Sequence, residues 1–333
     1  MSESFLYTWE DTDAPVLTPS TGSIVDVLKK VLVDGYGSKS GLGWSVVFEQ
    51  AEKIVFQNQG TGMFVRFDHS QTNYQVFVKA YESMSDIDTG LNPCPLPENE
   101  SPQFQVLLSH SSSSTANTVP WRILGDDKGI WIVVNSAAAH HGGIGADRDT
   151  AGWRFVYIGD YIPYDISNTQ YNFAMCMGDR LDYNLEVWRC RYNTITTTDS
   201  FYHIMRKPDR SEGSVKIGMS PGTGAFRRVG DYYCYLGDNQ NVCDYESDFQ
   251  LTAIPTIHCD GELLGRLPGL KNSLSGYGYN QSALSSYSDT VAKKPEMIFD
   301  FGDYKEHFWR MADENGNFRY VVLTEGKGFR NVI

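Results

Sequence analysis

The chain has 333 residues, 41% of them hydrophobic and 21% charged, which is enough apolar material for one large core or two smaller ones and too much for bulk disorder. The formal net charge of −13 argues against a general nucleic-acid binder and against an anionic membrane surface. Both need clustered Lys and Arg, whereas the longest basic runs are pairs such as Lys29-Lys30, Arg227-Arg228 and Lys293-Lys294. Aromatic residues reach 13%, with 20 Tyr and 17 Phe, which favours strands over helices.

The first 22 residues, beginning MSESFLYTWEDTDAP, read as an extended arm. Pro15 and Pro19 prevent a helix, and Phe5, Tyr7 and Trp9 are apolar anchors that make the segment either a frayed end or a tether docked on the body or on a neighbour. The start has no basic region followed by an apolar one, and no apolar run is long enough to cross a bilayer. The expectation is a protein made and kept soluble in a cytoplasm, with no membrane insertion.

SIVDVLKKVLVDG then predicts an amphipathic helix over 23–34, with apolar residues at 24, 25, 27, 28, 31 and 32 on one stripe, Ser23 as its cap and Gly35 as its stop. The loop that follows, GYGSKSGLGW, looks like a phosphate cradle but comes after the helix, at its negative end. Lys39 also follows Ser38 instead of glycine, so the Walker spacing fails. From residue 53 onward the pattern is β. Successive strands run from Lys53 to Met84 with turns at QGTG and DHSQTN, and a hairpin is predicted around Gly125–Gly129. Further strands are expected in GWRFVYIGDY and YNFAMCMGDR, and a C-terminal hairpin turns at Asn315-Gly316. The serine-rich 108–120 and the polar 270–295 read as loops. Gly-Asp recurs in IGDY (158–161), VGDY (229–232) and FGDY (301–304), and reads as a turn that ends strands.

Chemistry-bearing clusters are few. His140 and His141 lie near Asp147 and Asp149, but adjacent histidines on a strand face opposite ways and the zinc spacings are absent. His258 beside Cys259 does not make a nucleophile pair. Gly218, Ser220 and Gly222 fit G-x-S-x-G, yet Pro221 removes an N–H that an oxyanion hole needs. The six cysteines form no CxxC pair and read as free buried thiols; Cys234 and Cys243 could approach across a hairpin without a bond being implied. No catalytic residue, cofactor or metal site is assigned.

Residues 22–69 resemble a segment found in uncharacterised proteins of tailed bacteriophages, in which a short helix runs into L-V-x-G-Y-G-x-K-x-x-x-G-W, and the resemblance is strongest over 22–90. The matching residues are Leu32, Val33, Gly35, Tyr36, Gly37, Lys39, Gly43, Trp44, Gly60, Arg66 and Asp68. AYESMSDIDTG (80–90), PWRILGDDKGIWIVV (120–134), an IGD turn and GELLGRLPGL (261–270) also agree, and residues 136–257 depart most. The resemblance implies a virion structural component and supplies no catalytic residues. Gly35, Tyr36, Gly37, Lys39 and Trp44 then read as a structural motif that sets how the helix enters the sheet.

The expected fold is mainly β (a β-rich α+β), with antiparallel, sandwich-like sheets and one short N-terminal amphipathic helix. Its parts are an arm (1–22), an N-terminal β lobe (23–110) and a C-terminal β lobe (119–333) that could be continuous with the first. The expected role is non-enzymatic: a virion subunit of tail, neck or capsid surface, bound to other virion proteins and to copies of itself. The alternatives are a carbohydrate- or receptor-binding module using the Tyr/Gly/Ser-rich 270–295, and an envelope hydrolase.

Overall fold

Alternating apolar residues and Gly- or Asp-bearing turns give a mostly β chain with one short helix, seen here in a computed structural model. It describes residues 3–97, 104–108, 118–135, 153–165, 167, 170–178, 180–181, 188–189, 203–207, 209–217, 251–258, 263–273, 296–312 and 318–330. Strand β1 (Phe5–Thr8) precedes helix α1 (Ser23–Lys29), which runs directly into a π-helical turn over Lys30–Asp34. Strands β2 (Ser45–Glu49), β3 (Lys53–Gln57), β4 (Phe64–Asp68), β5 (Gln75–Met84), β6 (Gly90–Cys94) and β7 (Gln105–Leu107) form a six-stranded antiparallel sheet. Next come β8 (Trp121–Gly125), β9 (Gly129–Asn135), β10 (Trp153–Asp160), β11 (Ile162–Pro163) and β12 (Phe173–Gly178). Strands β13 (Arg180–Leu181) and β14 (Trp188–Arg189) make a two-stranded sheet. The last are β15 (His203–Arg206), β16 (Glu212–Ile217), β17 (Leu251–His258), β18 (Leu263–Ser273), β19 (Glu296–Asp300), β20 (Tyr304–Ala312) and β21 (Phe318–Gly326).

The largest sheet has 13 strands in the order β1-β8-β9-β10-β12-β15-β16-β17-β18-β21-β20-β19, with β11 paired to β18. It curls back on itself. Ile162 and Pro163 of β11 pair with Arg266 and Gly265, and Ser4 bridges to Gly326, so the two limbs meet at both places. The limb β8-β9-β10 is buried on both faces, which is why GIWIVV reads as a continuous apolar run instead of an alternating one. One face contributes Trp121, Ile123, Ile130, Ile132, Val156 and Ile158 to a core shared with α1 and the six-stranded sheet. On the other, Trp131 packs 5.0 Å from Tyr157 and donates its indole N–H to the Pro268 carbonyl at 2.8 Å. One core cluster therefore holds residues of both 23–110 and 119–333. Arg206 adds a second tie, donating to Glu82 Oε1 at 3.2 Å and to the Asn92 and Pro93 carbonyls at 2.9 and 2.8 Å.

The helix buries the expected stripe, Ile24, Val25, Val27, Leu28, Val31 and Leu32. Its cap differs from expectation. Gly22 occupies the cap position with no side-chain bond, while the Ser23 hydroxyl accepts the Thr18 N–H at 2.8 Å and fixes the preceding loop instead. Of the readings of the N-terminal segment, a frayed end or a docked one, the structure shows the docked one. It is docked on the body as strand β1, paired with β8 from Phe5↔Gly125 to Thr8↔Arg122, and both Tyr7 and Leu17 lie in the core. Cys94 and Cys176 are buried thiols outside any disulfide, as expected of them; Cys190, Cys234, Cys243 and Cys259 lie outside the described residues.

His69, in the turn between β4 and β5, is fully buried, and its backbone N–H donates to the Glu52 carbonyl at 2.9 Å. Burial lowers its pKa, against the opposing pull of the Asn73 backbone, Glu52 and Asp68. A histidine whose folded pKa lies below the unfolded value of about 6.5 binds fewer protons in the native state. Its stabilising effect is complete above that pH and declines as pH falls through the window below it. The unfolding midpoint should therefore drop between pH 7 and 5, and His69→Phe should flatten that part of the profile.

Candidate functional site

The GYGSKSGLGW loop is shaped by bonds to the helix end. Gly35 N–H reaches back to the Lys30 carbonyl at 2.7 Å, the wider i→i−5 spacing of a π turn. The loop then returns alongside, with Leu42 and Trp44 N–H bonded to the Val31 and Leu32 carbonyls at 3.0 and 3.1 Å. Between them Tyr36 and Lys39 exchange two backbone bonds of 3.0 and 2.9 Å, a tight turn from which both side chains project toward β1. Gly37, at φ +56°, lets the Thr12 carbonyl come within 2.8 Å of where a Cβ would stand. Trp44 is buried and donates its indole N–H to the Asp126 carbonyl at 2.8 Å, locking the loop to the β8–β9 turn.

What those side chains meet is the outer edge of β1. In an antiparallel pair, alternate residues direct both backbone groups away from the partner strand. On β1 these are Leu6 and Thr8, since Trp9 N–H bonds to Trp121 and Tyr7 lies two residues before it. Each outward group has a side-chain partner. Leu6 N–H donates to Glu325 Oε1 at 3.1 Å, and the Leu6 carbonyl accepts from Lys39 Nζ at 2.8 Å. Thr8 N–H donates to Asp11 Oδ2 at 2.8 Å, and the Thr8 carbonyl accepts from the Tyr36 hydroxyl at 3.4 Å. Asp11 Oδ2 also accepts from Lys39 at 2.6 Å and Tyr36 at 2.8 Å. An exposed strand edge is a template for adventitious pairing, and covering it with side chains removes the template.

The electrostatics follow from this packing. Burial would raise the Asp11 pKa, but bonds from Lys39, the Thr8 amide and Tyr36 outweigh it and hold the carboxyl below its usual value. Tyr7 is raised to about 12 by burial and by Asp11, and Tyr36 is raised by burial and by its bond to Asp11. Lys39 Nζ stands 5.4 Å from the centre of the Tyr7 ring, which meets Tyr36 edge-on at 5.8 Å and donates its hydroxyl to the Ser40 carbonyl. The loop amides of Tyr36, Lys39, Leu42 and Trp44 and the Lys39 ammonium are thus engaged within the chain. Lys39→Met is expected to lower stability by about 1 kcal/mol, discounted because the Lys39–Asp11 pair is partly exposed. A thermal melt checks this; an unchanged midpoint would show that the lysine holds nothing.

Of the three anchor candidates in the arm, Tyr7 is a core residue, and Phe5 and Trp9 remain 48% and 39% exposed. Of the loop residues, Tyr36, Gly37 and Lys39 meet the arm directly, a pairing that residues 25 and more apart do not advertise in sequence, while Gly35 packs within the loop and Trp44 is tied to the β8–β9 turn.

A second cluster was not legible in sequence. Asp160, in IGDY, is buried, and its Oδ1 accepts from Asn58 Nδ2 at 2.7 Å and Thr61 Oγ1 at 2.6 Å. Its Oδ2 accepts Thr61 N–H at 2.8 Å. Burial raises its pKa against these bonds and the nearby Arg330. Arg330 donates through Nε and Nη2 to both oxygens of Asp126, and through Nη1 to the Asp160 carbonyl at 2.9 Å. Asp126 Oδ1 also accepts the Lys128 and Gly129 amides at 2.9 and 3.0 Å. Every carboxylate oxygen here is engaged, so the cluster ties β3–β4, β8–β9, β10 and the C-terminal segment together and presents no base to a substrate.

The far end of the 13-stranded sheet contrasts with β1. Strand β19 pairs with β20 on one side, from Glu296↔Trp309 to Asp300↔Lys305, and ends the strand order. Ile298 and Phe301 are 54% and 56% exposed. Phe301 stacks on Tyr304 at 4.9 Å, and FGDY (301–304) is a strand-ending turn here, with Gly302 at φ +86°.

Among the described residues, no group of three or more His, Cys, Asp or Glu could hold a metal. His140, His141, Asp147, Asp149, Cys259, Gly218 to Gly222, and 274–295 lie outside the described residues. No protein-family model matches the chain. No curated protein matches it either.

Proposed function

We propose that this chain is a structural component of a tailed-phage virion, acting by protein–protein assembly in multiple copies at the tail, neck or capsid surface. The observation that carries the assembly reading is the contrast between the two ends of one sheet. At β1 four outward backbone groups are bonded to side chains of Lys39, Asp11, Tyr36 and Glu325. At β19 an apolar residue, Ile298, lies exposed on the terminal strand. A fold that closes one edge with side chains, while the strand at the other end has one paired neighbour among the described residues and exposes Ile298, has a surface suited to strand addition. The placement in a virion is supported by the sequence resemblance of residues 22–90.

Quantitative mass spectrometry of particles purified from a phage encoding this chain tests the reading. The expected result is a fixed copy number relative to the major capsid protein, at a multiple set by the symmetry of the particle. Absence of the chain from purified particles would remove the proposal.

A further inference from the structure

We propose that the cover over the outer edge of β1 is a pH-operated shutter: protonation of Asp11 unfastens it and turns a closed edge into one that accepts a strand, while β1 itself stays on β8. The shutter needs no virion to operate, so it stands apart from the assembly reading.

Three of the four outward backbone groups of β1 depend on the Asp11 carboxylate. Thr8 N–H donates to Oδ2 directly, at 2.8 Å. Lys39 and Tyr36 bond the same oxygen at 2.6 and 2.8 Å, and these contacts hold the two side chains over the Leu6 and Thr8 carbonyls. Only Leu6 N–H has a partner of its own, Glu325. The inner side of the strand needs no such hub. It is paired with β8 through the backbone, the Tyr7 hydroxyl is taken by the Ser40 carbonyl, and Tyr7 lies in the core. Loss of the Asp11 charge therefore loosens the cover and spares the strand.

Bonds to an ionised acceptor are roughly twice as strong as neutral ones, so the cover is strongest while Asp11 is a carboxylate. The groups that face Asp11 are Tyr7 on its own segment and Tyr36 and Lys39 on the loop. Burial works to raise its pKa, but the bonds from Lys39, the Thr8 amide and Tyr36 outweigh it and hold the carboxyl below the ordinary value of about 3.9. A carboxylate depressed in the folded state stabilises its contacts fully above that ordinary value, and the effect is lost as pH falls through the lower, folded one. The shutter is closed at neutral pH and opens below about pH 4. Glu325 stands apart from this hub. Burial opposes its charge, while His307 on β20, the Leu6 amide and Lys305 favour it, and protonation of His307, whose Nε2 is 2.8 Å from Oε2, adds a cation there.

The test is residue-resolved amide exchange on the isolated chain from about pH 6 to about pH 3, each rate divided by that of an unstructured chain at the same pH. Protection at Thr8 is expected to fall at least about tenfold over this range. Trp9, whose N–H bonds to the Trp121 carbonyl at 3.0 Å, is expected to keep its protection. Asp11→Asn should put Thr8 at the low level already at about pH 6 and remove its pH dependence, with Leu6 unchanged there. Lys39→Met should move the Thr8 midpoint to higher pH, because the cation that favours ionised Asp11 is gone. Thr8 protection that holds down to about pH 3, or a pH profile that survives Asp11→Asn, would overturn the proposal. So would a midpoint that Lys39→Met leaves in place or lowers. Parallel loss at Thr8 and Trp9 would overturn it too, because the whole strand would then be leaving β8. No outcome bears on whether the chain is found in particles, so the shutter and the virion reading fail separately.

Discussion

Arg330→Met is expected to destabilise the chain by about 3–5 kcal/mol, the range for removing one partner of a buried ion pair. The Asp126 side chain is completely buried and that of Arg330 is 16% exposed, so solvent cannot replace the lost guanidinium. Burial works against the Arg330 charge, but its bonds to Asp126 and the nearby Tyr157 and Asp160 outweigh it and raise its pKa. With methionine in place, Asp126 loses both guanidinium bonds and retains the Lys128 and Gly129 amides, and the Asp160 carbonyl retains the Tyr157 hydroxyl at 2.6 Å. Urea unfolding measures the loss. Adding Asp126→Asn to the same chain should recover part of it, because the uncompensated charge goes too. A loss below about 1 kcal/mol for Arg330→Met, within the range of an exposed pair, would mean that the cluster does not hold the C-terminal segment.

Gly35→Ala is expected to cost roughly 3 kcal/mol or more, because two independent penalties fall on one atom. At φ +78° and ψ 173° the backbone is in a region that is nearly exclusive to glycine. A Cβ would also stand 2.2 Å from the Lys39 carbonyl oxygen, inside the turn that aims Tyr36 and Lys39 at β1. Gly302→Ala is the milder reference. Its φ is +86°, yet nothing lies within 4 Å of the added atom, so only the backbone penalty of about 1–2 kcal/mol remains. Comparison of the two thermal midpoints gives what the close Lys39 carbonyl and the extended ψ at Gly35 add together. Equal losses in the two variants would contradict the close packing of the loop.

The legible parts of this fold are those whose signal is local. The helical stripe from Ile24 to Leu32 is legible because its period is helical, and the hairpin at Gly125–Gly129 because turn chemistry separates two apolar runs. Ser23 misled because a serine before an apolar run looks like a cap. Its hydroxyl is taken by Thr18, and Gly22 supplies the left-handed entry at φ +82°. Phe5 and Tyr7 are alternate residues of one strand, so local pattern gives them the same face. Only the position of Tyr36 and Ser40 across the fold decides that Tyr7 is buried while Phe5 is half exposed.

Asp160 shows the same limit. Gly-Asp reads as a turn, which holds at 301–304, but the partners that make Asp160 a buried acceptor sit about 100 residues earlier, at Asn58 and Thr61. Edge status is still less local. Whether β1 and β19 lie at the ends of a sheet depends on the pairing of eleven other strands. The GYGSKSGLGW loop was visible as a motif, and its role as the cover for a strand edge became visible only with β1 in place.

The most direct test of the closed and open edges is residue-resolved amide hydrogen exchange on the isolated chain. The structure predicts slow exchange at Leu6 and Thr8, whose N–H groups are bonded to Glu325 and Asp11. It predicts fast exchange at Ile298 and Asp300, with Phe299 between them protected by β20. Fast exchange at Leu6 and Thr8, or protection at Ile298 equal to that at Phe299, would contradict the account.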